Sequence, residues 1–177
     1  KGSGSAGSID VQADSLAITG SSGIRNSTKG SGNGGQVNLN ITHTLTASDG
    51  WISCSALDAG EGSSLQIKAR DITLSNMSNI YMSAYNEGNA GNLVIESDSL
   101  DILGGSRIIM DVWQTGCLGE VIIDSDIIRM TGFALDDDNS PVRSGLSSQI
   151  GNMATGHGTT LQITTDSLEM NDGAIID

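Results

Sequence analysis

The chain has 177 residues, of which 37% are hydrophobic and 3% aromatic, so a thin, linear core suits it better than a large globular one. Its 24 glycines lack a three-residue period, which excludes collagen, and the apolar pairs that alternate between them argue against disorder. Eight basic and 21 acidic side chains give a net charge of −13, which makes nucleic acid and anionic lipid poor partners.

A repeat of about 28 residues runs through the chain. The first hydrophobic residue after each glycine-containing corner recurs at one constant interval four times, and the last interval is longer, which predicts a 12-residue insertion in one turn. These residues are Ile9, Val37, Leu65, Leu93, Val121 and Leu161. Repeats of this length occur in solenoids, where each unit buries its core only by stacking on its neighbours. The repeats begin near residues 4, 32, 60, 88, 116 and 156, and the insertion covers about 135–146.

The first half of each repeat predicts two short strands. Apolar residues alternate at period two, as in Leu93 and Ile95, which is typical of a strand with one buried face. A mostly small residue follows where the strand bends, and a second pair such as Leu100 and Ile102 begins the next strand. In the second copy Leu45 comes one residue late, which predicts a local slip.

The second half predicts a third strand and a tight corner. Ile52 and Cys54 represent the third strand, and paired glycines such as Gly88 and Gly91 mark a corner where a Cβ would not fit. Three strands per turn, each paired in parallel with the turns above and below, predict an all-β parallel β-helix of about six turns. From the usual hand of parallel crossovers we expect it to be right-handed. Neither the irregular strand spacing of a β-sandwich nor the six-residue period of a left-handed β-helix is present.

One stretch carries a family resemblance. Gly88–Leu100 reads GNAGNLVIESDSL and Gly105–Ile108 reads GSRI, and both resemble repeats of large filamentous-haemagglutinin-like exoproteins, including cyanobacterial ones. The resemblance spans essentially the whole chain in degenerate form. It implies a secreted β-helical shaft, exported by a two-partner system and used in adhesion, surface coating or biofilm. The chain has no Arg-Gly-Asp tripeptide and no basic, heparin-type patch, so the resemblance leaves the ligand open.

Carboxylates line one predicted face, which raises the alternative of a polysaccharide-binding or polysaccharide-cleaving β-helix. Lys68 lies one turn from Glu96, and Arg70 lies one turn from Asp98. Because turns are about 4.8 Å apart, this arrangement favours solvated ion pairs over a catalytic site. The same pattern recurs with Asp101, Arg129 and Glu169.

The remaining polar candidates are weak as chemical sites, and we predict no metal and no cofactor. Asp136, Asp137 and Asp138 in the insertion are weak candidates for a hard cation such as Ca²⁺, but a solvated loop explains them equally well. His43 and His157 are far apart in the repeat and are predicted to be surface residues.

The two cysteines are predicted to be unbridged. Cys54 faces inward, whereas Cys117 lies in a glycine corner more than two turns away, beyond the Cα separation of about 7 Å that a disulfide tolerates. We expect a buried Cys54 and a free or intermolecular thiol at Cys117. Three asparagines begin Asn-x-Ser/Thr glycosylation sequons, namely Asn26, Asn40 and Asn76.

Aromatic residues are the candidates for contact with surface glycans. Tyr85 and Trp113 share one position in consecutive turns, with Leu57 below them and Met153 above. An exposed strip would stack on sugar rings, but the aliphatic neighbours favour a packed corner. Trp51, at an outward position, is the better single candidate for carbohydrate contact.

The residue patterns predict a non-enzymatic rod, and the family resemblance implies that this rod is a shaft segment of a secreted or cell-surface fibre or adhesin. No apolar run approaches the roughly 20 residues of a membrane-spanning helix, so we expect no direct membrane insertion. The chain starts and stops within a repeat, and we therefore expect either continuation in a longer fibre or coaxial association between copies.

Overall fold

The predicted parallel solenoid is confirmed. The computed structural model describes residues 2–152, 154–158 and 160–177, and these form an all-β stack of about six turns of about 28 residues. Within the described residues no helix is long and apolar enough to cross a membrane.

The first sheet contains the first two strands predicted for each repeat. In four turns these two strands join into one strand that continues around the bend, and in turns three and six they stay separate. The strands of this sheet are β1 (Ile9–Thr19), β3 (Gln36–Ser48), β5 (Ser64–Lys68), β6 (Asp71–Ser75), β8 (Leu93–Leu103), β10 (Val121–Thr131), β14 (Leu161–Thr164) and β15 (Ser167–Asn171).

The second sheet contains the third strand of each repeat. Its members are β2 (Gly23–Arg25), β4 (Trp51–Ser53), β7 (Asn79–Tyr81), β9 (Arg107–Val112), β13 (Gly145–Ile150) and β16 (Ile175–Ile176). Every neighbouring pair in both sheets is parallel. Beyond the second sheet, single bridges join Thr28, Ala56, Ala84 and Val112 in consecutive turns.

The core lies between the two sheets and consists of columns of identical positions. Ile9 and Leu161 begin and end the leading column and are half-buried, because each lies in an outermost turn. The four residues between them are Val37, Leu65, Leu93 and Val121, each at most 2% exposed. A neighbour both above and below is therefore needed to complete the burial of each position.

The slip predicted in the second turn is confirmed. Ala13 pairs with Ile41, but Ser15 pairs with Thr44, so β3 carries one extra residue at the bend. The inward alternation recovers at once, because Leu45 is fully buried.

The twelve extra residues of the fifth turn fall in two places. Gly145 pairs with Arg107, an offset ten longer than the ordinary repeat, whereas Leu161 pairs with Val121, an offset twelve longer. Ten of the added residues therefore precede β13 and two follow it. Those before β13 form an antiparallel hairpin of β11 (Phe133–Leu135) and β12 (Pro141–Arg143) that projects from the stack.

Consecutive turns approach each other closely at the glycine corner. A Cβ placed on Gly88 would overlap the carbonyl oxygen of Gly60 in the turn below, and one on Gly116 would overlap the carbonyl oxygen of Gly88. The same position in the first turn, Gly4, has no atom within 4 Å of the added carbon. Glycine is required there by stacking and not by a positive φ.

We expect Gly88→Ala to lower the free energy of unfolding by about 2 kcal/mol or more, because the methyl group must push two turns apart. Gly4→Ala is the matched control, with an expected effect within about 0.5 kcal/mol, since the space beside it is open. Urea unfolding followed by circular dichroism measures both. Equal effects of the two substitutions would contradict the stacking explanation.

Candidate functional site

The bend of the first sheet holds an open, charged groove of about 570 Å³, which we call the bend groove. It forms because outward positions on either side of the bend converge, turn after turn. Its charged lining consists of Lys68, Arg70, Glu96, Asp98, Asp124 and Asp126.

Both cations of the bend groove already have carboxylate partners. Lys68 Nζ lies 2.8 Å from Glu96 Oε2, as predicted, and this hydrogen bond raises the pKa of Lys68. The predicted pair of Arg70 with Asp98 is wrong, because Arg70 Nε lies 2.8 Å from Asp71 Oδ2 instead. Arg70 and the Ser99 hydroxyl both donate to Asp71, which lowers the pKa of that carboxyl.

The third predicted charge column is confirmed. Arg129 lies between two turns, with its guanidinium nitrogens 3.4 Å from Asp101 Oδ1 and 3.9 Å from Glu169 Oε2. These partly exposed pairs favour the register of the turns more than they add stability. Lys68 and Arg129 thus join neighbouring turns, whereas Arg70 pairs within its own turn.

The weak metal candidates in the insertion lie in the tip of the hairpin. Asp136 Oδ1 accepts hydrogen bonds from the backbone N–H groups of Asp138 at 3.0 Å and Ser140 at 2.8 Å, which closes the turn. Asp137 and Asp138 are exposed. Among residues 2–152, 154–158 and 160–177, no three histidine, cysteine or acidic side chains group as metal ligands.

The outer face of the second sheet holds a different groove, of about 360 Å³, which we call the aromatic groove. The register stacks Gly23 under Trp51, and Arg25 under Ser53 and Tyr81, so residues of three turns meet on this face. Its lining includes Arg25, Trp51, Ser53, Ser55, Tyr81 and Tyr85. Among the described residues, no acidic side chain lines it.

The floor of the aromatic groove is a cluster of serine hydroxyls. Ser53 Oγ lies 3.5 Å from Ser27 Oγ and 3.4 Å from Ser55 Oγ. The hydroxyls also join turns, since the backbone N–H of Ser55 donates to Ser27 Oγ at 3.3 Å. Because serine side chains are short, they leave open space between the larger aromatic side chains of the groove.

Trp51 lines one side of this groove, but its ring is less available for carbohydrate contact than predicted. Its ring lies over Gly23, where a Cβ would collide with it, and its indole N–H donates to the Ser21 carbonyl at 3.2 Å. The Arg25 guanidinium carbon lies 4.9 Å from the ring centroid. Trp51 is therefore half-buried and held in place by its neighbours, and it does not project as a lone ring.

The packed corner predicted for Tyr85 and Trp113 is wrong. Tyr85 is 41% exposed, Trp113 52% and Leu57 38%. Alternation continues past the bridges, where Ala56 and Ala84 are fully buried, so the next residue in each turn faces outward. Met153 lies outside the described residues.

The two exposed rings form one strip along the shaft. Tyr85 and Trp113 are parallel within 5°, with ring centroids 6.4 Å apart. The strip continues the line of the aromatic groove by one turn. The sequence pattern found Trp51, Tyr85 and Trp113 but missed Arg25 and Tyr81, although the repeat offset places both in the column of Ser53.

The glycosylation predictions divide by exposure. Asn26 is buried, and its amide donates to the Gly7 carbonyl at 2.8 Å, so the folded chain makes it a poor acceptor for a glycan. Asn40 is exposed. Asn76 is exposed and its amide donates to Ser48 Oγ at 2.9 Å. Modification of these two remains a prediction.

The cysteine and histidine predictions are confirmed. Cys54 and Cys117 are both free thiols, and Cys54 is fully buried whereas Cys117 is half-buried. Burial raises the pKa of the Cys54 thiol to about 12. His43 and His157 are exposed.

The fold places this chain among the parallel β-solenoids. Comparison with protein-family models, curated proteins and solved structures gave no match. The resemblance to filamentous-haemagglutinin-like repeats therefore stays a prediction.

The buried thiol predicts a stability change at alkaline pH. The unfolded Cys54 loses its proton near pH 9, and the folded one keeps it to about pH 12, so the free energy of unfolding falls as pH rises through this window. From pH 8 to 10 the expected loss is about 1 kcal/mol. Urea titrations at both pH values measure it. Cys54→Ala should remove this loss and Cys117→Ala should retain it, and an identical fall in both variants would contradict the assignment.

Proposed function

We propose that this chain is a structural shaft segment of a secreted or cell-surface fibre or adhesin. The observation that carries the proposal is the parallel pairing of each turn with the next, which makes a linear body with the same positions repeated along each face. Such a body provides reach and stiffness and presents a repetitive surface for adhesion, coating or a biofilm matrix. The family resemblance of the repeat supports the same role.

Side-chain hydrogen bonds also join neighbouring turns, as the backbone hydrogen bonds do. Asn89 Nδ2 donates to Glu61 Oε1 at 3.0 Å, and Asn89 Oδ1 accepts from the backbone N–H of Cys117 at 2.8 Å, so one residue contacts the turns on both sides. Ser78 Oγ accepts from the Gly50 N–H, and Ser106 Oγ accepts from the Ser78 N–H, each at 3.1 Å. Polar side chains thus use their hydrogen bonds for stacking, as a stiff rod requires.

Surface display is the direct test of this function. An epitope tag inserted between Asp137 and Asp138, in the exposed hairpin tip, should be labelled on intact cells of the producing organism, because loop tips tolerate insertions. External protease should remove the label, and the same tag on a cytosolic protein of that organism is the control. Labelling that requires cell lysis would refute the proposal.

The bend groove supports a second candidate, cleavage of polysaccharides. Asp124 and Asp126 both line it, and no ion pair joins either to another described residue. If they act as acid and base, Asp124→Asn or Asp126→Asn should lower the release of reducing ends or unsaturated products by about a hundredfold or more. Asp137→Asn, in the hairpin tip, is the matched control and should leave turnover unchanged. Absence of product from pectins, alginates and bacterial polysaccharides would reject this candidate.

A further inference from the structure

The aromatic groove combines three features that suit ligand binding. It has hydroxyls on its floor, aromatic rings at its sides and one cation, Arg25, with no acidic residue among the described residues of the lining. Its volume of about 360 Å³ lies within the range of small-ligand sites, about 300–1,000 Å³. The first question is which kind of molecule these groups recognise.

The backbone of this face argues against a peptide strand as the occupant. Peptides that add to a sheet need a free strand edge. The central strands β4 and β7 are each paired on both sides, so across this groove their ladder is complete. Recognition in the groove therefore depends on side chains.

Sugar rings fit those side chains. Their C–H faces are apolar and pack on aromatic rings, while their hydroxyl edges bond to small polar groups. In the groove, Tyr81 and Tyr85 lie on the same face of consecutive segments of one turn, with the Ser53 and Ser55 hydroxyls one turn below. The lining spans three turns, or about 10 Å along the axis, which suits a short stretch of a linear glycan lying parallel to the shaft.

Arg25 adds the charge preference. It is exposed, and among the described residues none of the ion pairs includes it. Its only specific contact there is the face of Trp51, which positions the guanidinium and leaves its N–H donors free for an oxyanion. At physiological salt the repulsion from charges more than about 8 Å away is largely screened, and Arg25 is the one charged side chain among the described residues that line the groove.

We propose that the aromatic groove binds an acidic polysaccharide, with Arg25 bound to a sugar carboxylate and Tyr81 and Tyr85 packed against the sugar rings. Trp113 extends this surface by one turn through its parallel contact with Tyr85. The proposal concerns a ligand for the face of the shaft and does not depend on where the chain is displayed.

Binding of oligogalacturonate, measured by calorimetry and tryptophan fluorescence at physiological salt, tests the proposal. Arg25→Gln should weaken binding about tenfold or more, because it removes a charge-assisted bond to the ligand. Arg143→Gln, which removes an equal charge from the remote hairpin, should stay within about twofold. Tyr85→Ala should also weaken binding about tenfold, whereas Phe133→Ala, on the hairpin, should not.

Two further probes define the ligand chemistry. The carboxyl-reduced oligomer has the same rings without the charge and should bind about tenfold more weakly to the unsubstituted chain. Dextran sulfate tests whether any polyanion suffices, and it should bind no more tightly than oligogalacturonate. Unchanged unfolding midpoints show that the variants keep their fold.

Several results would overturn the inference. These are no binding of oligogalacturonate, equal losses in Arg25→Gln and Arg143→Gln, equal affinity for the carboxyl-reduced oligomer, or tighter binding of dextran sulfate. A failure of binding together with surface labelling of the hairpin tag would leave the fibre proposal standing. Binding without surface labelling would do the reverse, so the two ideas fail separately.

Discussion

The parallel hydrogen-bonded register between turns is the constraint on which the rest of this structure depends. Because Val121 pairs with Leu93, and Leu93 with Leu65, each side chain meets the same position of the repeat above and below it. Apolar positions therefore merge into continuous buried columns, and polar positions merge into ladders. A corner that is open in one turn, as at Gly4, becomes closed when another turn lies beneath it, as at Gly88.

That constraint explains why the fold could be predicted from the sequence. The constant period assigns every residue to a column, and two-residue alternation decides which columns face inward, so Leu93 and Ile95 were placed correctly without further information. The slip at Thr44 was visible because it shifts the phase of one short stretch, from Thr44 to Ser48, by one residue, and the ordinary period has returned by Trp51. The hairpin was visible as extra length, but its division into ten and two residues was not, since the sequence between Ile150 and Leu161 has too little alternation to fix the phase.

The candidate sites were harder to predict because the period determines the backbone position of a residue in the repeat but not the conformation of its side chain. Arg70 reaches Asp71 beside it and not Asp98 one turn away, and both choices fit the same column. Trp51 turns down onto Gly23, where the missing Cβ makes room for the ring. Asn26 begins a sequon but turns its amide into the stack towards Gly7. In each case a local hydrogen bond or a local space determines the orientation of the side chain, and neither recurs with the period of the repeat.

The two grooves differ in whether their cations already have carboxylate partners. This difference distinguishes a groove whose charges stabilise the stack from one whose charge is available to a ligand. In the bend groove Lys68 and Arg70 are joined to carboxylates of the same or the next turn, so their charges are used within the shaft. In the aromatic groove Arg25 contacts a ring face, which orients it but satisfies none of its N–H donors. A repeat can change its outward residues in one turn without disturbing the inward columns. One face of the shaft can therefore acquire a binding role over a few turns while the inward residues of those turns continue to stabilise the stack.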